Sequence, residues 1–364
     1  MLEKLRQVCL SFRIQDSLVS YEELKTGNIN HTYKVNTVKT DGLEKSYIVQ
    51  KVNTYVFKNP VWVMENIDRV TKHIRRKKGD QVALHFHHTA EGKTYIFEED
   101  GFWRLFNYVE SDTYNATADP EVVRNAGEAF GEFQMLLADF DVSELFETIP
   151  GFHNTRKRYE TFERDVLADP CGMVAKVQED VDWLLSVKDL ACKLTDLFEA
   201  GKLPLRVTHN DTKINNVLFD KRDKSALVVI DLDTVMPGLV GNDFGDAIRF
   251  AANFVDEDCP EYEKAGVNLE VFGAFADGFL KHTAETLTEE EIRWLAHSSF
   301  VLAAEQAVRF LGDYILGSPY YKVDYPEHNL VRARCQIALA KDILAKMDKM
   351  ERIVSECVGK RIKK

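Results

Sequence analysis

The sequence predicts an α+β fold of two lobes: a small N-terminal lobe with an antiparallel sheet, residues 1–108, and a larger, mainly helical C-terminal lobe, residues 109–364. Three observations lead to this prediction. Strand-like runs and turns dominate the residues up to 108. Helical spacing of apolar side chains takes over after Glu110. Short apolar runs around a polar cluster then interrupt the helices at 206–235.

The N-terminal lobe is predicted to contain a short amphipathic helix at residues 1–12 and a second helix that begins at Asn59-Pro60. Proline is favoured in the first turn of a helix, and Asn at the position before it. A turn at Lys39–Gly42 separates two strand-like runs, which is typical of a hairpin. The runs that predict a five-stranded sheet are Tyr33–Val38, Tyr47–Val52, Val82–His87, Thr94–Glu98 and Trp103–Val109.

The C-terminal lobe is predicted to be helical except at 206–235. A helix begins at Asp119-Pro120, and helical patterns return at 157–200 and from 247 onward. The apolar residues that share one face of the first of these helices are Ala126, Ala129, Phe130, Phe133, Leu136, Leu137 and Phe140.

Composition restricts the kind of partner. The formal net charge is −12, which disfavours nucleic acid or an anionic membrane as the main partner. No run of 18 apolar residues is present, and the six cysteines are scattered without a C-x-x-C pair. The N-terminus has mixed charge and no long apolar core, unlike a secretory signal. We therefore expect a cytoplasmic protein that binds small molecules, with no nucleic acid, membrane or obligate protein partner.

The polar cluster contains the most informative motif. Between Val207 and Leu218 the chain has the spacing H-x-D-x-x-x-x-N, which is that of a kinase catalytic loop. Asp211 is the carboxylate of this motif and Asn216 is its final residue. An apolar strand-like run follows and ends in Asp231. An ordinary polar loop between two strands would explain the loop by itself, but not the loop together with Asp231.

Phosphoryl transfer requires these residue types. A carboxylate must orient the attacking hydroxyl and accept its proton, and oxygen ligands must hold magnesium across the phosphates of ATP. Asp211 is the candidate base, and Asn216 with Asp231 are the candidate metal ligands. Lys213 lies two residues after the base, where its ammonium would meet the γ-phosphate as charge develops.

A second metal-ligand candidate is Asp243, because Asp243-Phe244-Gly245 spells D-F-G. Asp231 is favoured over it, since Asp231 ends an apolar strand-like run and Asp243 lies in a glycine-rich segment. Asp243 and Asp246 are interpreted as structural carboxylates. They would either cap a helix that begins near Ala247 or brace the catalytic loop.

Three segments resemble the phosphotransferase enzyme family, which includes aminoglycoside and choline kinases. They are VTHNDTKINNVLF at 207–219, VVIDLDTVMPG at 228–238 and DFGDAIRF at 243–250. Four further pieces are most similar to the N-acetylhexosamine 1-kinases of that family: Gly27–Tyr33, Tyr47–Asn53, Arg309–Tyr314 and Tyr325–Arg332. The resemblance implies a protein-kinase-like bilobal fold.

The resemblance also implies a reaction. It is the ATP- and Mg²⁺-dependent phosphorylation of the anomeric (C1) hydroxyl of N-acetylglucosamine or N-acetylgalactosamine. Asp211 would act as base and contact the sugar, Asn216 and Asp231 would bind the metal, and Arg309 and Tyr320 would line the sugar pocket. The residues alone favour a different interpretation, a surface pair between Arg309 and Asp313 one helical turn away. Choline, ethanolamine, homoserine or an aminoglycoside remain alternative acceptors, and a non-catalytic pseudokinase is the other alternative.

The nucleotide side departs from the usual kinase pattern. The segment at 27–32 has one glycine, and Asn30 and Thr32 would supply donors to phosphate. Kinases place a lysine on the third strand. Here Gln50 and Lys51 alternate in direction, so only one of them reaches the nucleotide, and the resemblance places Gln50 there. Its helical acidic partner stays open between Glu65, Asp68 and none.

The adenine site is predicted from chain order alone. Tyr108 follows the last strand-like run of the N-terminal lobe, so it is expected at the crossing between the lobes. Backbone groups at this crossing would meet the adenine ring.

Overall fold

The computed structural model describes residues 1–24, 29–79 and 84–362, with side chains up to Arg361. Its N-terminal lobe consists of a sheet with one helix on each side, and its C-terminal lobe is mainly helical. Gly27 and Asn28 of the segment at 27–32 lie outside the described residues, as do the first two residues of the strand predicted at Val82–His87.

The N-terminal sheet has five antiparallel strands in the order β1-β2-β3-β5-β4. Gly42 closes the β2–β3 hairpin with a positive φ of 84° and donates its N–H to the Lys39 carbonyl. The strands are β1 (Ser17–Leu24), β2 (His31–Val38), β3 (Glu44–Val52), β4 (Ile96–Glu98) and β5 (Gly101–Asn107).

One of the five predicted strands is not observed as a strand, and one observed strand was not predicted. In the described part of Val82–His87, only Phe86 pairs with another strand, through an isolated bridge to Phe106. The fifth strand is instead β1, which the sequence analysis missed. Six of its eight residues are exposed. Its sequence, SLVSYEEL, accordingly lacks the strict alternation of apolar and polar residues that predicts a strand. The number of strands and their antiparallel arrangement are confirmed.

Two helices cover the sheet. Helix α1 (Leu2–Ser11) places Leu5 and Val8 on one face of the sheet against Trp103 and Leu105. Helix α2 (Pro60–Lys78) begins at the predicted proline and ends in four basic residues, which the helix dipole favours. The buried residues of α2 belong to the same apolar core as the C-terminal lobe. The lobes therefore share a core on this side of the sheet.

The C-terminal lobe contains the remaining helices of the described chain. Helix α3 begins at the predicted Pro120, and Asp119 caps it by accepting the Glu121 N–H at 3.0 Å. The helices are α3 (Pro120–Leu136), α4 (Thr155–Ala168), α5 (Gln178–Ser186), α6 (Lys188–Ala191), α7 (Lys193–Glu199), α8 (Val240–Ala251), α9 (Leu269–Thr283), α10 (Glu289–Ile315) and α11 (His328–Ile362).

Two short strand pairs interrupt these helices at the predicted place. Strand β6 (Arg206–Thr208) pairs with β9 (Met236–Gly238), and β7 (Val217–Phe219) pairs with β8 (Ala226–Val229). The catalytic-loop motif lies between β6 and β7. Among the described residues, none of the helices combines the length and the apolar character that a membrane crossing requires.

Candidate active site

The β7–β8 hairpin brings two candidate metal ligands together. Val217 pairs with Val229, and the N–H of Ile230 donates to the Asn216 carbonyl at 2.8 Å. Asn216 therefore lies just before β7, and Asp231 lies just after β8. Two residues 15 positions apart in sequence thus emerge at the same end of the hairpin.

Asp211 contacts Asn216 directly. The Asn216 Nδ2 donates to the Asp211 backbone carbonyl at 2.8 Å and to its carboxylate Oδ2 at 3.1 Å. The other carboxylate oxygen of Asp211 lies 2.9 Å from Lys213 Nζ. Because the amide nitrogen of Asn216 faces Asp211, its Oδ1 is the atom left for a cation.

Lys213 lies among carboxylates at the edge of this cluster. Burial opposes its charge, but Asp211 and Asp246 together raise the pKa of Lys213 above its ordinary value. Asp246 is buried and pairs with Arg249 at 2.7 Å. Burial would raise the pKa of Asp246, yet Arg249 and Lys213 hold it below its ordinary value. Lys213 is therefore a fixed cation beside the candidate base.

Asp243 braces the catalytic loop from α8. It is buried, and its two carboxylate oxygens accept the backbone N–H of His209 at 2.9 Å and of Asn210 at 2.7 Å. Gln134 donates to the same carboxylate at 2.8 Å. Bracing was one of the two roles expected of this residue. The other, capping a helix near Ala247, is wrong because α8 begins at Val240.

The surroundings of Asp231 are strongly negative. Its backbone is left-handed, with φ 58°. Loss of solvent around the carboxyl group raises the pKa of Asp231 to about 6, and the charges of Asp233 and Asp211 add to this shift. The charges of Arg104 and His209 oppose it. A cation at this position would relieve the repulsion.

The donor set fits a magnesium ion shared with a nucleotide. Asn216 Oδ1 and the Asp231 carboxylate are hard oxygen ligands, and Mg²⁺ takes its remaining positions from phosphate and water. Within residues 1–24, 29–79 and 84–362, no group of three or more His, Cys, Asp or Glu forms a metal cage. An ion bound by two protein residues does not require such a cage.

We call the space between the N-terminal sheet and the loops that carry Asp211 and Asp231 the cleft. Gln50, and not Lys51, lies on the face of the sheet toward it, where Arg104 joins Gln50 to Asp233. Thr32 lies directly opposite Gln50 across the β2–β3 pair, and Gln50 Nε2 donates to Thr32 Oγ1 at 3.0 Å. Lys51 points to the other face, where its ammonium lies 5.7 Å from the Trp103 ring centre. The predicted alternation is therefore observed.

Arg104 of β5 lies buried beside Gln50 on the same face of the sheet, and the sequence analysis missed it. It pairs with Gln50 across the sheet, and its Nε donates to Gln50 Oε1 at 2.8 Å. Its two terminal nitrogens donate to both carboxylate oxygens of Asp233. Asn30 donates to the same carboxylate at 2.8 Å. A charged residue inside an otherwise apolar strand was the available signal.

The acidic residues of α2 pair with neighbours on their own helix. Glu65 lies 3.1 Å from Arg69, and Asp68 lies 2.6 Å from Lys72. Asp68 also contacts His88 at 3.0 Å. Neither acid contacts Gln50 or Lys51 among the described interactions, so the open choice resolves toward no strand-to-helix ion pair.

Tyr108 lies at the start of the connection between the lobes. It follows β5, its N–H donates to the Ser46 carbonyl at 3.3 Å, and Lys34 Nζ lies 4.0 Å from its ring centre. Four residues later, Asp112 pairs with Phe219 of β7 in the C-terminal lobe. The predicted position at the crossing is observed, and contact with adenine remains a prediction.

The family follows from a comparison with known protein families. A model described as the phosphotransferase enzyme family matches residues 20–275. The chain belongs to this family.

Solved structures of other phosphotransferases share its fold. A spectinomycin phosphotransferase in complex with ADP and spectinomycin superposes with a TM-score of 0.56 at 12% identity, over 94% of this chain and 98% of that one. An amicoumacin kinase with AMP-PNP and Ca²⁺ superposes with a TM-score of 0.57 at 14% identity, over 95% of this chain and 96% of that one. A choline kinase from Cryptosporidium parvum has a TM-score of 0.59 at 12% identity, over 98% of this chain and 99% of that one. The predicted protein-kinase-like fold is confirmed.

The phosphotransferase has a cluster of arginine side chains from α4 and α10 and aromatic side chains from the loops next to these helices. The Arg309 guanidinium lies 5.9 Å from the Phe152 ring centre and 5.7 Å from that of Tyr321, and donates to Gln306 at 2.5 Å. Burial, and then the charge of Arg309, lower the pKa of Arg158. We name Phe152, Arg158, Arg309 and Tyr321 the arginine wall; the sequence analysis identified only Arg309.

The arginine wall of this phosphotransferase is joined to its catalytic loop. His153, the residue after Phe152, lies 2.9 Å from the Glu305 carboxylate of α10 and 3.5 Å from the Asn210 carbonyl. Thr155 donates to the other Glu305 oxygen at 2.7 Å. Asn210 immediately precedes Asp211, so α10 and the candidate base are linked through one histidine.

Tyr320 lies at the edge of the arginine wall. Its side chain is 77% exposed, and its ring centre lies 4.9 Å from that of Tyr321. Asp313 accepts the backbone N–H groups of both tyrosines, at 2.9 and 3.1 Å, as well as the amide of Asn329. Asp313 therefore orders this loop, and the alternative Arg309–Asp313 pair is not among the contacts of the described residues.

Proposed function

We propose that the chain transfers the γ-phosphoryl group of ATP to the anomeric hydroxyl of an N-acetylhexosamine, N-acetylglucosamine or N-acetylgalactosamine. Membership of the phosphotransferase family supports the reaction type. The adenine nucleotides in two structures of the same fold, one of them with Ca²⁺, support ATP and a divalent cation. The proposed cation is Mg²⁺, held by Asn216 and Asp231.

The arginine wall is the observation that favours a sugar over an amine. Within the described chain, Arg158 Nε and the Tyr321 hydroxyl are buried without a hydrogen-bond partner. Two guanidinium groups and a free hydroxyl suit an uncharged acceptor rich in oxygen atoms, and an aromatic ring would cover its apolar face. The two guanidinium groups would repel the ammonium group of choline, ethanolamine or an aminoglycoside.

The acidic residues near this wall are already engaged. Glu305 accepts from His153 and Thr155, and Asp313 accepts from two backbone N–H groups and Asn329. A cationic acceptor would favour a free carboxylate or an aromatic cage, and the rings of Phe152 and Tyr321 already face the Arg309 guanidinium. Besides Asp211 and Lys213 of the catalytic loop, the arginines are therefore the charged groups that an acceptor would meet.

The residues of the chain have separate roles in the proposed transfer. Asp211 orients the sugar hydroxyl and takes its proton, while Lys213 faces the developing negative charge of the transferred group. Asn30, Thr32 and Gln50 would contact the phosphates from the sheet. A cation held by Asn216 and Asp231 would neutralise charge on the phosphates.

The experiment is a panel of acceptors with ATP, Mg²⁺ and enzyme-coupled detection of ADP. We expect turnover with N-acetylglucosamine or N-acetylgalactosamine, and phosphorus NMR should place the phosphate on the anomeric oxygen. The matched control is the 1-O-methyl glycoside of the same sugar, which has no free anomeric hydroxyl and should be inert. Turnover only with choline, ethanolamine, homoserine or an aminoglycoside would overturn the proposal.

Substitutions in the arginine wall test its role in acceptor binding. Arg158→Met and Arg309→Met should each raise the KM for the sugar about 10- to 100-fold, because each removes a charged donor, with the KM for ATP unchanged. The control is Arg164→Met on α4, whose side chain is 72% exposed and which should leave both constants unchanged. Unchanged sugar KM in both wall variants would contradict this assignment.

A further inference from the structure

A row of polar side chains crosses the cleft face of the sheet. Thr32, Gln50 and Arg104 lie directly opposite one another on β2, β3 and β5. The Gln50 amide joins the other two, since its oxygen accepts from Arg104 and its nitrogen donates to Thr32. This arrangement fixes which end of the amide faces which neighbour.

Arg104 is not itself available to a ligand. Arg104 is 2% exposed and Asp233 is 3% exposed. Four of its five N–H groups are engaged by Gln50, by the two oxygens of Asp233 and by the Met64 sulfur. A guanidinium so enclosed cannot turn to a phosphate without breaking a buried ion pair.

The pair formed by Arg104 and Asp233 connects the two lobes. Arg104 belongs to the N-terminal sheet, and Asp233 lies two residues after the candidate metal ligand Asp231. Asn30 reinforces the connection by donating to Asp233 and accepting the Asn53 N–H at 2.9 Å. The position of the sheet over the metal-binding loop therefore depends on this carboxylate.

Gln50 retains a donor for a ligand. Its side chain is only partly buried, unlike that of Arg104, and it lies between Arg104 and the partly exposed Thr32. An amide nitrogen has two N–H groups, and Thr32 accepts one of them. The second is the donor that a nucleotide phosphate would meet on this strand.

We infer that Arg104 is a positioning residue for the nucleotide. By pairing with Asp233 it holds the sheet over the metal-binding loop, and by donating to Gln50 Oε1 it keeps Gln50 Nε2 turned toward the phosphates. Gln50, oriented by Arg104, thus takes the place that the strand lysine, oriented by the helix glutamate, has in protein kinases. The inference rests on the proposed ATP site but not on the identity of the acceptor.

The test is the affinity for AMP-PNP with Mg²⁺, measured by calorimetry without any acceptor. The variant is Arg104→Met combined with Asp233→Leu, which removes one charge of each sign and so keeps the net charge beside Asp231. Replacing a whole buried ion pair with apolar residues often preserves stability. We expect a thermal midpoint close to that of the parent and a Kd about 10- to 100-fold higher.

A matched pair far from the cleft is the control. Arg334 of α11 lies 3.0 Å from Asp180 of α5. Arg334→Met combined with Asp180→Leu should leave the Kd unchanged. A folded Arg104/Asp233 double variant that binds AMP-PNP like the parent would overturn the inference.

A second variant tests the direction of the Gln50 amide. Gln50→Glu keeps an acceptor for Arg104 but replaces the donor with a carboxylate oxygen, so the Kd should rise at least about tenfold. An unchanged Kd would show that this nitrogen does not meet the nucleotide. If the parent itself bound no AMP-PNP, the proposed function would fail together with the inference, which separates that outcome from both variant results.

Discussion

A single carboxylate on another element maintains the conformation of the catalytic loop. Asn210 has a left-handed backbone, with φ 64°, a conformation that asparagine adopts more readily than most other non-glycine residues. Asp243 accepts the N–H groups of both His209 and Asn210, which holds the residue before the candidate base in this conformation. The position of Asp211 therefore depends on a residue that does not contact the reacting groups.

Asp243→Asn tests this dependence. One oxygen becomes an amide nitrogen, which would face a backbone N–H in place of an acceptor. We expect the free energy of unfolding to fall by about 2–4 kcal/mol, because a buried charged acceptor is lost and a donor is left unpaired. Urea denaturation measures the change. A fall of less than about 0.5 kcal/mol, the scatter of ordinary surface changes, would contradict the bracing role.

Residues within one short motif were accessible to sequence reasoning, whereas residues assembled from distant segments were not. Asp211, Lys213 and Asn216 lie in one loop, and Asp231 follows the next strand, so their spacing alone predicted a common cluster. Arg104 meets Asp233 across 129 residues. Only the pairing of β3 with β5 and the packing of the lobes bring that pair together.

At the scale of elements, close helix contact depends on glycine. Helices α3 and α9 approach each other where Gly131 faces the backbone of Phe279. A Cβ atom at position 131 would lie 2.5 Å from the Phe279 carbonyl oxygen and 3.0 Å from its Cα. These atoms are backbone, so they cannot move aside without separating the helices.

Gly131→Ala should destabilise the protein by about 1–3 kcal/mol through overpacking, measured by chemical denaturation. Gly359→Ala on α11 is the matched control, because no atom outside its local helix lies within 4 Å of the added Cβ. That variant should be unchanged or more stable by up to about 1 kcal/mol, since alanine favours helix. Equal effects in both variants would refute the contact argument.

Elements with a clear period were predictable, and those stabilised by their neighbours were not. Helices α2 and α3 begin at the prolines that predicted them, because proline restricts the chain locally. Strand β1 has mostly exposed side chains and is defined by its hydrogen bonds to β2. Its sequence carries little of the pattern by which strands are recognised.

At the scale of the whole molecule, the lobes are joined by more than the crossing segment. Asn66 of α2 donates to the carbonyls of Phe146 at 2.8 Å and Val235 at 2.9 Å, and accepts the Phe146 N–H at 2.9 Å. The apolar residues around it belong to one core that continues into the helical lobe. The division at residue 108 stays a prediction about domains, and the shared core argues against independent folding.

Scanning calorimetry tests this coupling. Because the core continues across the lobes, we expect one cooperative transition, with the calorimetric enthalpy equal to the van't Hoff enthalpy. Two resolved transitions would show that the lobes unfold separately. The same experiment with Mg²⁺ and AMP-PNP should raise the midpoint, since a ligand that binds only the folded chain stabilises it.

The most direct test of the whole account is the rate of ADP formation by Asp211→Asn with saturating ATP, Mg²⁺ and N-acetylhexosamine. The substitution preserves the size of the side chain but removes the proposed proton acceptor from the cluster of Asn216, Lys213 and Asp231. We predict a fall in kcat of at least about 100-fold, with the Kd for AMP-PNP nearly unchanged. A variant that phosphorylates the sugar at close to the parental rate would contradict the assignment of Asp211 as the base.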